Sequence, residues 1–277
     1  MKIKEFFGKK FFLSLFIFWQ LIFLFFPLFL LIFKGINNKN FFNDLFWVFK
    51  SNYLIIILKT FFLAFFTSTI CLFIGYTVSL IIASKKEFFR NFFLFLMAIP
   101  FLTNFIIHVI SWSCLLQKNG LVFNLFKYFK FFKNDFFLLN TNFATYVGYV
   151  YCFMPFMIFP LYNSLSKFDK KFFEASYDLG ASYFRTLFRV VIPITKQAIY
   201  TGFFLVLVSA SGEFMIPEIL GGDKNIYCGS VFSNVLLSAS LVEKGSLIGI
   251  LFIIFLLIFC ILSFLFIRFI MKFLEKI

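Results

Sequence analysis

The chain alternates between long apolar stretches and short polar or basic ones. Six of the apolar stretches are long enough for an α-helix to cross the ~30 Å hydrocarbon layer of a bilayer. The run from Phe11 to Phe33 exceeds the apolar core of a signal peptide, so we interpret it as a retained first helix. The pattern therefore predicts six transmembrane helices, at residues 11–33, 61–83, 92–116, 143–165, 199–216 and 246–269.

Two of these stretches carry features that affect their boundaries. The apolar block from Tyr53 to Ala83 is too long for one helix perpendicular to the membrane. We therefore expect its first part to lie at the membrane surface and the second span to occupy its remainder. Pro100 interrupts the third stretch, where it removes one backbone hydrogen-bond donor.

The composition is that of an integral membrane protein. Of the 277 residues, 62% are hydrophobic and 54 are phenylalanine, which is more apolar surface than a soluble fold can cover. The formal net charge is +14, but the Lys and Arg residues lie mainly in short segments between apolar stretches. There they set membrane topology, so the charge does not predict a nucleic-acid partner.

The positions of Lys and Arg also predict the orientation of the chain. With the N-terminus in the cytoplasm, the cytoplasmic segments hold 16 of the 26 Lys and Arg residues and the outside segments hold 9. Positive residues favour cytoplasmic loops, so both termini and the loop at residues 166–198 are predicted to be cytoplasmic. We expect a single multi-pass domain over residues 1–277 in the cell membrane.

The polar segment from Glu174 to Pro193 predicts two short amphipathic helices joined by a glycine turn. Asp169 can cap the first helix, because its carboxylate can accept N–H groups of the first turn. Gly180 can take the left-handed conformation that ends a helix. Ser182 is predicted to cap the second helix and Pro193 to end it. The two apolar stripes comprise Phe172, Ala175, Ser176 and Leu179, and Phe184, Leu187, Phe188 and Val191.

The sequence contains no motif of an enzyme or of a metal site. It lacks the GxxxxGK[ST] phosphate-binding loop, so we predict no ATP site and no cofactor in this chain. The five cysteines form no CxxC or Cys/His cluster, and we expect Cys228 alone to lie in an outside loop. The single histidine, His108, lies in an apolar stretch and is interpreted as a hydrogen-bonded structural residue.

The polar segment resembles the EAA loop of membrane permeases from ATP-binding-cassette (ABC) importers. In that family Glu-Ala-Ala is followed after three residues by Gly, and after nine more by an aliphatic pattern and Pro. Glu174, Gly180 and Pro193 stand at these positions, and Ser176 replaces the second Ala. The resemblance implies an all-α, type I permease fold with six transmembrane helices. It also implies that the residues coupling the chain to an ATPase are Glu174, Ala175, Ser176, Asp178, Gly180, Ala181 and Pro193.

The resemblance assigns a role to four of these residues. Glu174 is expected to hydrogen-bond within the loop or across to the ATPase. Gly180 is expected to permit the turn, while the small side chains of Ala175 and Ser176 permit a close approach.

Three further stretches are similar to the spermidine/putrescine class of these permeases: VYCFMPFMIFPLYNSLSKFDKKFFEASYDLGAS, PFLTNFIIHVISW and GEFMIPEILGGDKN. This similarity implies an importer of two membrane subunits, two cytoplasmic ATPase subunits that bind ATP, and an external solute-binding protein. Permeases for iron, thiamine or sulfate are the alternative. An ATP-independent secondary transporter and a purely structural membrane subunit are the rivals from other classes. The inverted repeats expected of many secondary transporters are not evident.

A polyamine substrate would require negative charge or aromatic faces along its path, because polyamines are multivalent cations. Glu213 is the best-placed carboxylate for this role, and Trp112 and Phe214 could supply aromatic faces. Alternatively, Glu213 lies at the water interface where the fifth helix ends before Pro217. The sequence leaves both interpretations of Glu213 open.

Overall fold

The computed structural model describes residues 14–37, 41–50, 52–128, 137–169, 171–222, 226–237 and 242–276. Within these ranges the chain forms helices and short connections, with no strand, as the all-α prediction requires. The helices are α1 (Ser14–Ile36), α2 (Phe41–Lys50), α3 (Tyr53–Ser84), α4 (Glu87–Leu102), α5 (Phe105–Leu116), α6 (Leu121–Tyr128), α7 (Asn142–Leu165), α8 (Lys171–Asp178), α9 (Tyr183–Gly212), α10 (Pro217–Gly221), α11 (Cys228–Leu237) and α12 (Val242–Lys276).

Six helical segments of the described chain are long and apolar enough to cross a membrane. They are Ser14–Ile36, Tyr53–Ser84, Phe105–Leu125, Asn142–Leu165, Tyr183–Gly212 and Lys244–Phe273. The prediction of six transmembrane helices is therefore confirmed. The second of them begins earlier than the predicted residue 61, because the sequence from Tyr53 to Phe61 contains no Gly or Pro to interrupt the helix.

The third predicted span, 92–116, is divided between two helices close to Pro100, the residue that was predicted to interrupt it. α4 ends at Leu102, two residues after Pro100, and Thr103 has an extended backbone. Asn104 then starts α5, because its Oδ1 accepts the N–H of Ile106 at 2.9 Å. Proline disfavours an unbroken ladder of helical hydrogen bonds, and an asparagine side chain can satisfy the free donors of a new helix.

Pro193 does not end a helix, contrary to the prediction. It lies inside α9, directly after a π-helical turn at Leu187–Val191. In that turn the N–H of Ile192 donates to the carbonyl of Leu187, five residues back. Pro193 thus occupies the first turn of the regular helix that follows, where the absence of an N–H is tolerated.

The chain divides into two compact units. One comprises Met1–Leu54 and Phe232–Ile254, and the other comprises Ile55–Val231 and Phe255–Ile277. In the first unit the side chains of α1 are largely exposed, as expected for a helix surrounded by lipid. Gly35 is the buried residue of α1, and it lies against Ser246 and Ile250 of α12.

The second unit has its core where α7 packs against α9. A Cβ added at Gly202 would lie 2.8 Å from the Met157 sulfur and 3.3 Å from its carbonyl oxygen, so the two backbones approach closely. The largest buried side chains around this contact include Tyr149, Met157, Leu161, Phe203, Leu207, Ile216 and Leu220. The residues that join α7 to α9 are therefore fixed at both ends by a packed core.

Candidate functional site

The connection between α7 and α9 forms a helix–turn–helix element, residues 169–193, which we call the joint. α8 starts as predicted, because the Oδ1 of Asp169 accepts the N–H of Lys171 at 3.0 Å. The carbonyl of Asp169 also accepts the N–H of Phe172 at 3.1 Å. One aspartate thus satisfies two donors of the first turn.

Gly180 ends α8 in the left-handed conformation, with a φ of 75°. The N–H of Gly180 donates to the carbonyl of Tyr177 at 2.8 Å, and the N–H of Ala181 donates to that of Ser176 at 3.0 Å. This pair of bonds is the Schellman motif, which satisfies the last carbonyls of a helix and reverses the chain. The motif gives Ala181 a defined role, since its N–H closes the turn.

A hydroxyl pair ties the two helices of the joint together. The Oγ of Ser176 on α8 lies 2.9 Å from the Oγ1 of Thr186 on α9, and Thr186 is buried. Ser182 stands at the cap of α9 as predicted, but its side chain makes no capping bond; its carbonyl accepts the N–H of Thr186 at 2.9 Å. Sequence reasoning missed Thr186, although a serine at the Ala position of the motif was a signal for a hydroxyl partner.

The outer surface of the joint is apolar in its centre and acidic beside it. Leu179 is 88% exposed at the end of α8, and Phe184 at the start of α9 is also exposed. The carboxylates of Glu174 and Asp178 are exposed on the same short helix, as is Ala175. Apolar side chains in a segment that joins two membrane spans at the water side are typical of a surface that binds another protein.

A cavity of about 510 Å³ lies behind α8. Its lining includes Glu174 and Tyr177 of α8, Tyr183 of α9 and Ser84 at the end of α3. The cavity therefore borders both helices of the joint and the end of α3.

At its other end, α9 stops at Gly212 and places Glu213 in an extended turn. The Oε1 of Glu213 accepts the N–H of Met215 at 2.8 Å, and the Glu213 carbonyl accepts the hydroxyl of Tyr149 at 3.0 Å. The carboxylate is half-buried. It therefore caps the turn that leads into α10, where backbone groups of Phe214 and Ile216 also hydrogen-bond to it.

Trp112 belongs to a separate aromatic cluster. Its ring lies 5.5 Å from that of Tyr151, whose hydroxyl is 3.3 Å from the Nδ1 of His108. The Nε2 of His108 is bonded to the hydroxyl of Thr103 at the break between α4 and α5. His108 is thus a hydrogen-bonded residue that stabilises the break, in agreement with its structural interpretation.

The three predicted path residues contact different neighbours. Glu213 contacts Tyr149, whereas Trp112 contacts Tyr151. Tyr149 and Tyr151 are two residues apart on α7, so they point in directions about 200° apart around the helix. Phe214 and the Glu213 carbonyl both lie beside Gly229, where an added Cβ would be 2.8 Å from the Phe214 Cβ and 3.2 Å from the Glu213 oxygen. The contacts therefore do not gather the three side chains into one cluster.

Cys228 lies between the fifth and sixth spans, as the span boundaries predicted, but it is buried in a helix instead of exposed in a loop. Cys228 begins α11 and is 3% exposed, and its N–H donates to the Oγ1 of Thr60 at 2.9 Å. The turn residues before it predicted a loop, but a long-range bond to α3 draws the start of α11 into the core. Cys114, on α5, is the exposed cysteine. Among the described residues no group of His, Cys, Asp or Glu could hold a metal ion.

The family described as "Binding-protein-dependent transport system inner membrane component" matches residues 75–276 of the chain. The matched region begins inside α3, so α1 and α2 lie ahead of it.

Among individual proteins, the chain is 35% identical over 181 residues to the spermidine/putrescine transport system permease protein PotB of Haemophilus influenzae. It is 33% identical over 179 residues to PotB of Escherichia coli. These alignments cover 65% of this chain, and 63% and 65% of the two relatives. The chain therefore spans less than two thirds of the length of the curated relatives that it matches.

Two solved structures share the fold over nearly the whole chain. One is a bacterial ABC transporter involved in the import of the acidic polysaccharide alginate, with a TM-score of 0.75, 15% identity, and coverage of 96% of this chain and 97% of that one. The other is a bacterial alginate ABC transporter in complex with a periplasmic protein bound to alginate pentasaccharide, with a TM-score of 0.69, 14% identity, and coverage of 98% and 97%. At this identity the likeness establishes the type I permease fold and nothing about the substrate.

Proposed function

The chain belongs to the family of binding-protein-dependent transport system inner membrane components, and from that premise we propose that it is a permease subunit of an ATP-driven polyamine importer. The proposal rests mainly on the structure of the joint. Its Schellman turn and hydroxyl pair hold two short helices in a fixed relation, and its apolar surface is exposed where the chain leaves the membrane.

In this proposal the joint docks on a cytoplasmic ATPase subunit, and Leu179 and Phe184 enter an apolar groove of that partner. Glu174 and Asp178 provide hydrogen-bond acceptors beside the groove. The small Ala175 leaves room for the ATPase to approach α8 closely. The ATPase binds the ATP, and this chain contributes no catalytic residue to the hydrolysis.

The joint is mechanically continuous with the membrane region. α9 begins in the joint at Tyr183 and runs to Gly212, so a shift of its first turn moves its far end, next to Glu213. α8 is linked to α9 by the bond between Ser176 and Thr186, so displacement of α8 is passed to the same helix. The π-helical turn before Pro193 is the place where α9 departs from regular geometry. ATP binds one of the two states of the transporter better than the other. Closure of the ATPase dimer around ATP would therefore shift the permease towards that state.

The polyamine assignment rests on the named relatives and on the acidic turn at Glu213. A half-buried carboxylate suits a cationic amine better than an anion such as sulfate. Trp112 and Phe214 are assigned to the path as aromatic faces that the cation meets at separate points. The remaining partners are a second permease subunit and an external solute-binding protein, with both termini of this chain in the cytoplasm.

Co-purification of the ATPase tests the docking surface directly. Leu179→Asp should greatly weaken recovery of the ATPase with the tagged permease, because a charge would enter the apolar contact. Ile226→Asp is the matched control, since Ile226 is also exposed and lies outside the spans, between the fifth and the sixth. Equal recovery with both variants would contradict docking through the joint.

A further inference from the structure

α2 (Phe41–Lys50) is an amphipathic helix ahead of the family region, and the proposed transport cycle assigns it no role. Three large apolar side chains project from it: Phe42 is 81% exposed, Phe46 is 68% exposed and Phe49 is 47% exposed. Their spacing of four and three residues places them on one stripe of the helix. The stripe is therefore a largely exposed aromatic surface, in which Phe42 packs edge-on against the ring of Phe41 at a centroid distance of 5.5 Å.

The other side of α2 is fixed against the protein. Val48 is fully buried. The Nζ of Lys244 lies 3.7 Å from the Oδ1 of Asp44 and 4.8 Å from the centroid of the Trp47 ring. The Trp47 ring in turn lies 5.2 Å from that of Tyr53. These contacts set the rotation of the helix about its axis, so the phenylalanine stripe is directed away from the protein by a defined packing arrangement.

Both ends of α2 are close to membrane-spanning helices. Five Cα–Cα steps separate Ile36, the end of α1, from Phe41, which limits the distance to about 19 Å. Three steps separate Lys50 from Tyr53, the start of α3, which limits that distance to about 11 Å. Ile36 is exposed in the last turn of α1, which also carries Lys34, and Ile55 is exposed in the first turn of α3. The length of the connecting chain therefore keeps each end of α2 within these distances of a membrane-spanning helix.

The polar residues of α2 lie beside the phenylalanine stripe, as expected for a helix in the plane of the membrane interface. Asn43 and Lys50 are exposed and lie about 60–100° around the helix from the centre of the phenylalanine stripe. Trp47 and Tyr53 are of the two residue types enriched at membrane–water interfaces. A helix with an aromatic stripe, a polar flank and interfacial aromatic residues is typical of one that lies in the plane of the interface.

We propose that α2 lies in the membrane surface and inserts Phe42, Phe46 and Phe49 among the lipid acyl chains. The helix thereby anchors the segment between the first two spans to the bilayer. The ion pair between Asp44 and Lys244 holds the stripe towards the lipid.

The test measures the surroundings of single positions in the assembled transporter. Phe46→Cys and Asn43→Cys, each in a Cys114→Ser background, are labelled with an environment-sensitive fluorophore and reconstituted with the partner subunits into lipid nanodiscs. Cys114 is removed because it is an exposed native thiol. Lipids with a nitroxide on the acyl chain and aqueous iodide serve as the two quenchers. Phe42→Cys repeats the measurement at the most exposed position of the stripe.

We expect a blue-shifted emission and several-fold stronger nitroxide quenching for labels at Phe46 and Phe42 than for the label at Asn43. Iodide should quench the Asn43 label more strongly. Strong iodide quenching at all three positions would place the stripe in water and overturn the proposal. Loss of access to both quenchers at Phe46 and Phe42 would show that a partner protein covers the stripe, which also overturns it.

Discussion

Replacement of Gly180 by valine tests how much the φ angle of this one residue contributes to the coupling between the permease and the ATPase. Gly180 has a φ of 75°, and a Cβ built at this position meets no atom within 4 Å. The substitution therefore introduces backbone strain without steric overlap. Valine is β-branched and is the least suited type for this conformation, whereas asparagine adopts it more readily.

The size of the effect follows from the left-handed conformation. That conformation costs roughly 1–2 kcal/mol for an L-residue. Since 1.4 kcal/mol is a factor of ten in an equilibrium constant, the native turn is disfavoured by about 5- to 30-fold. Leu179 precedes the turn and Phe184 follows it, so both are in place to bind the ATPase only when the native turn is formed. The apparent dissociation constant of the permease for the ATPase should therefore rise by up to that factor.

The assay compares Gly180→Val with Gly180→Asn in membranes that contain equal amounts of permease. ATPase recovered with the permease and ATP-driven uptake should both fall for the valine variant, while insertion into the membrane stays unchanged. The asparagine variant should retain most of both activities. Normal coupling in the valine variant, or equal loss in the two variants, would refute the reasoning from φ.

Three further predictions concern other parts of the chain. Ser176→Ala should remove the bond to Thr186 and weaken coupling by about 1 kcal/mol, measured as ATP hydrolysis per molecule transported; an unchanged ratio would exclude the hydroxyl pair as a link. Glu213→Gln keeps an oxygen acceptor but removes the charge, so substrate-stimulated uptake should fall while ATPase recovery stays normal; equal loss of both would make Glu213 structural. A lipophilic maleimide should label Cys114 and leave Cys228 unmodified, and Cys114→Ser should abolish most labelling as read by mass spectrometry; modification of Cys228 would contradict its burial.

The local signals for the joint were readable in the sequence because each acts within a few residues. Asp169 caps the helix that follows it, and Gly180 takes the left-handed turn that glycine adopts most easily. The number of spans was equally readable, since the length of an apolar helix is set by the thickness of the bilayer.

Features that depend on cooperation between residues were not readable in the same way. Pro193 predicted a helix end, but a π-helical turn ahead of it accommodates the missing donor. Pro100 marked an interruption, while the actual break depends on the capping bond of Asn104. The burial of Cys228 depends on a bond to Thr60, 168 residues away in the sequence, which no local pattern reports.

The neighbours of the predicted path residues were likewise not readable from the sequence, because they depend on how helices pack. Trp112, Phe214 and Glu213 are compatible with a cation in chemical terms, but their neighbours are set by the rotation of α7 and by the start of α11. Residue type suggested the members of the site, and helix packing determines which of them meet.

Uptake into proteoliposomes tests the central claim most directly. The permease is reconstituted with its partner permease, the ATPase and the solute-binding protein, and radiolabelled putrescine, spermidine and spermine are supplied outside with ATP inside. We predict accumulation of at least one polyamine that requires ATP, the ATPase and the binding protein together. Accumulation that persists without ATP or the ATPase, or an active transporter that accumulates none of the three polyamines, would contradict the account.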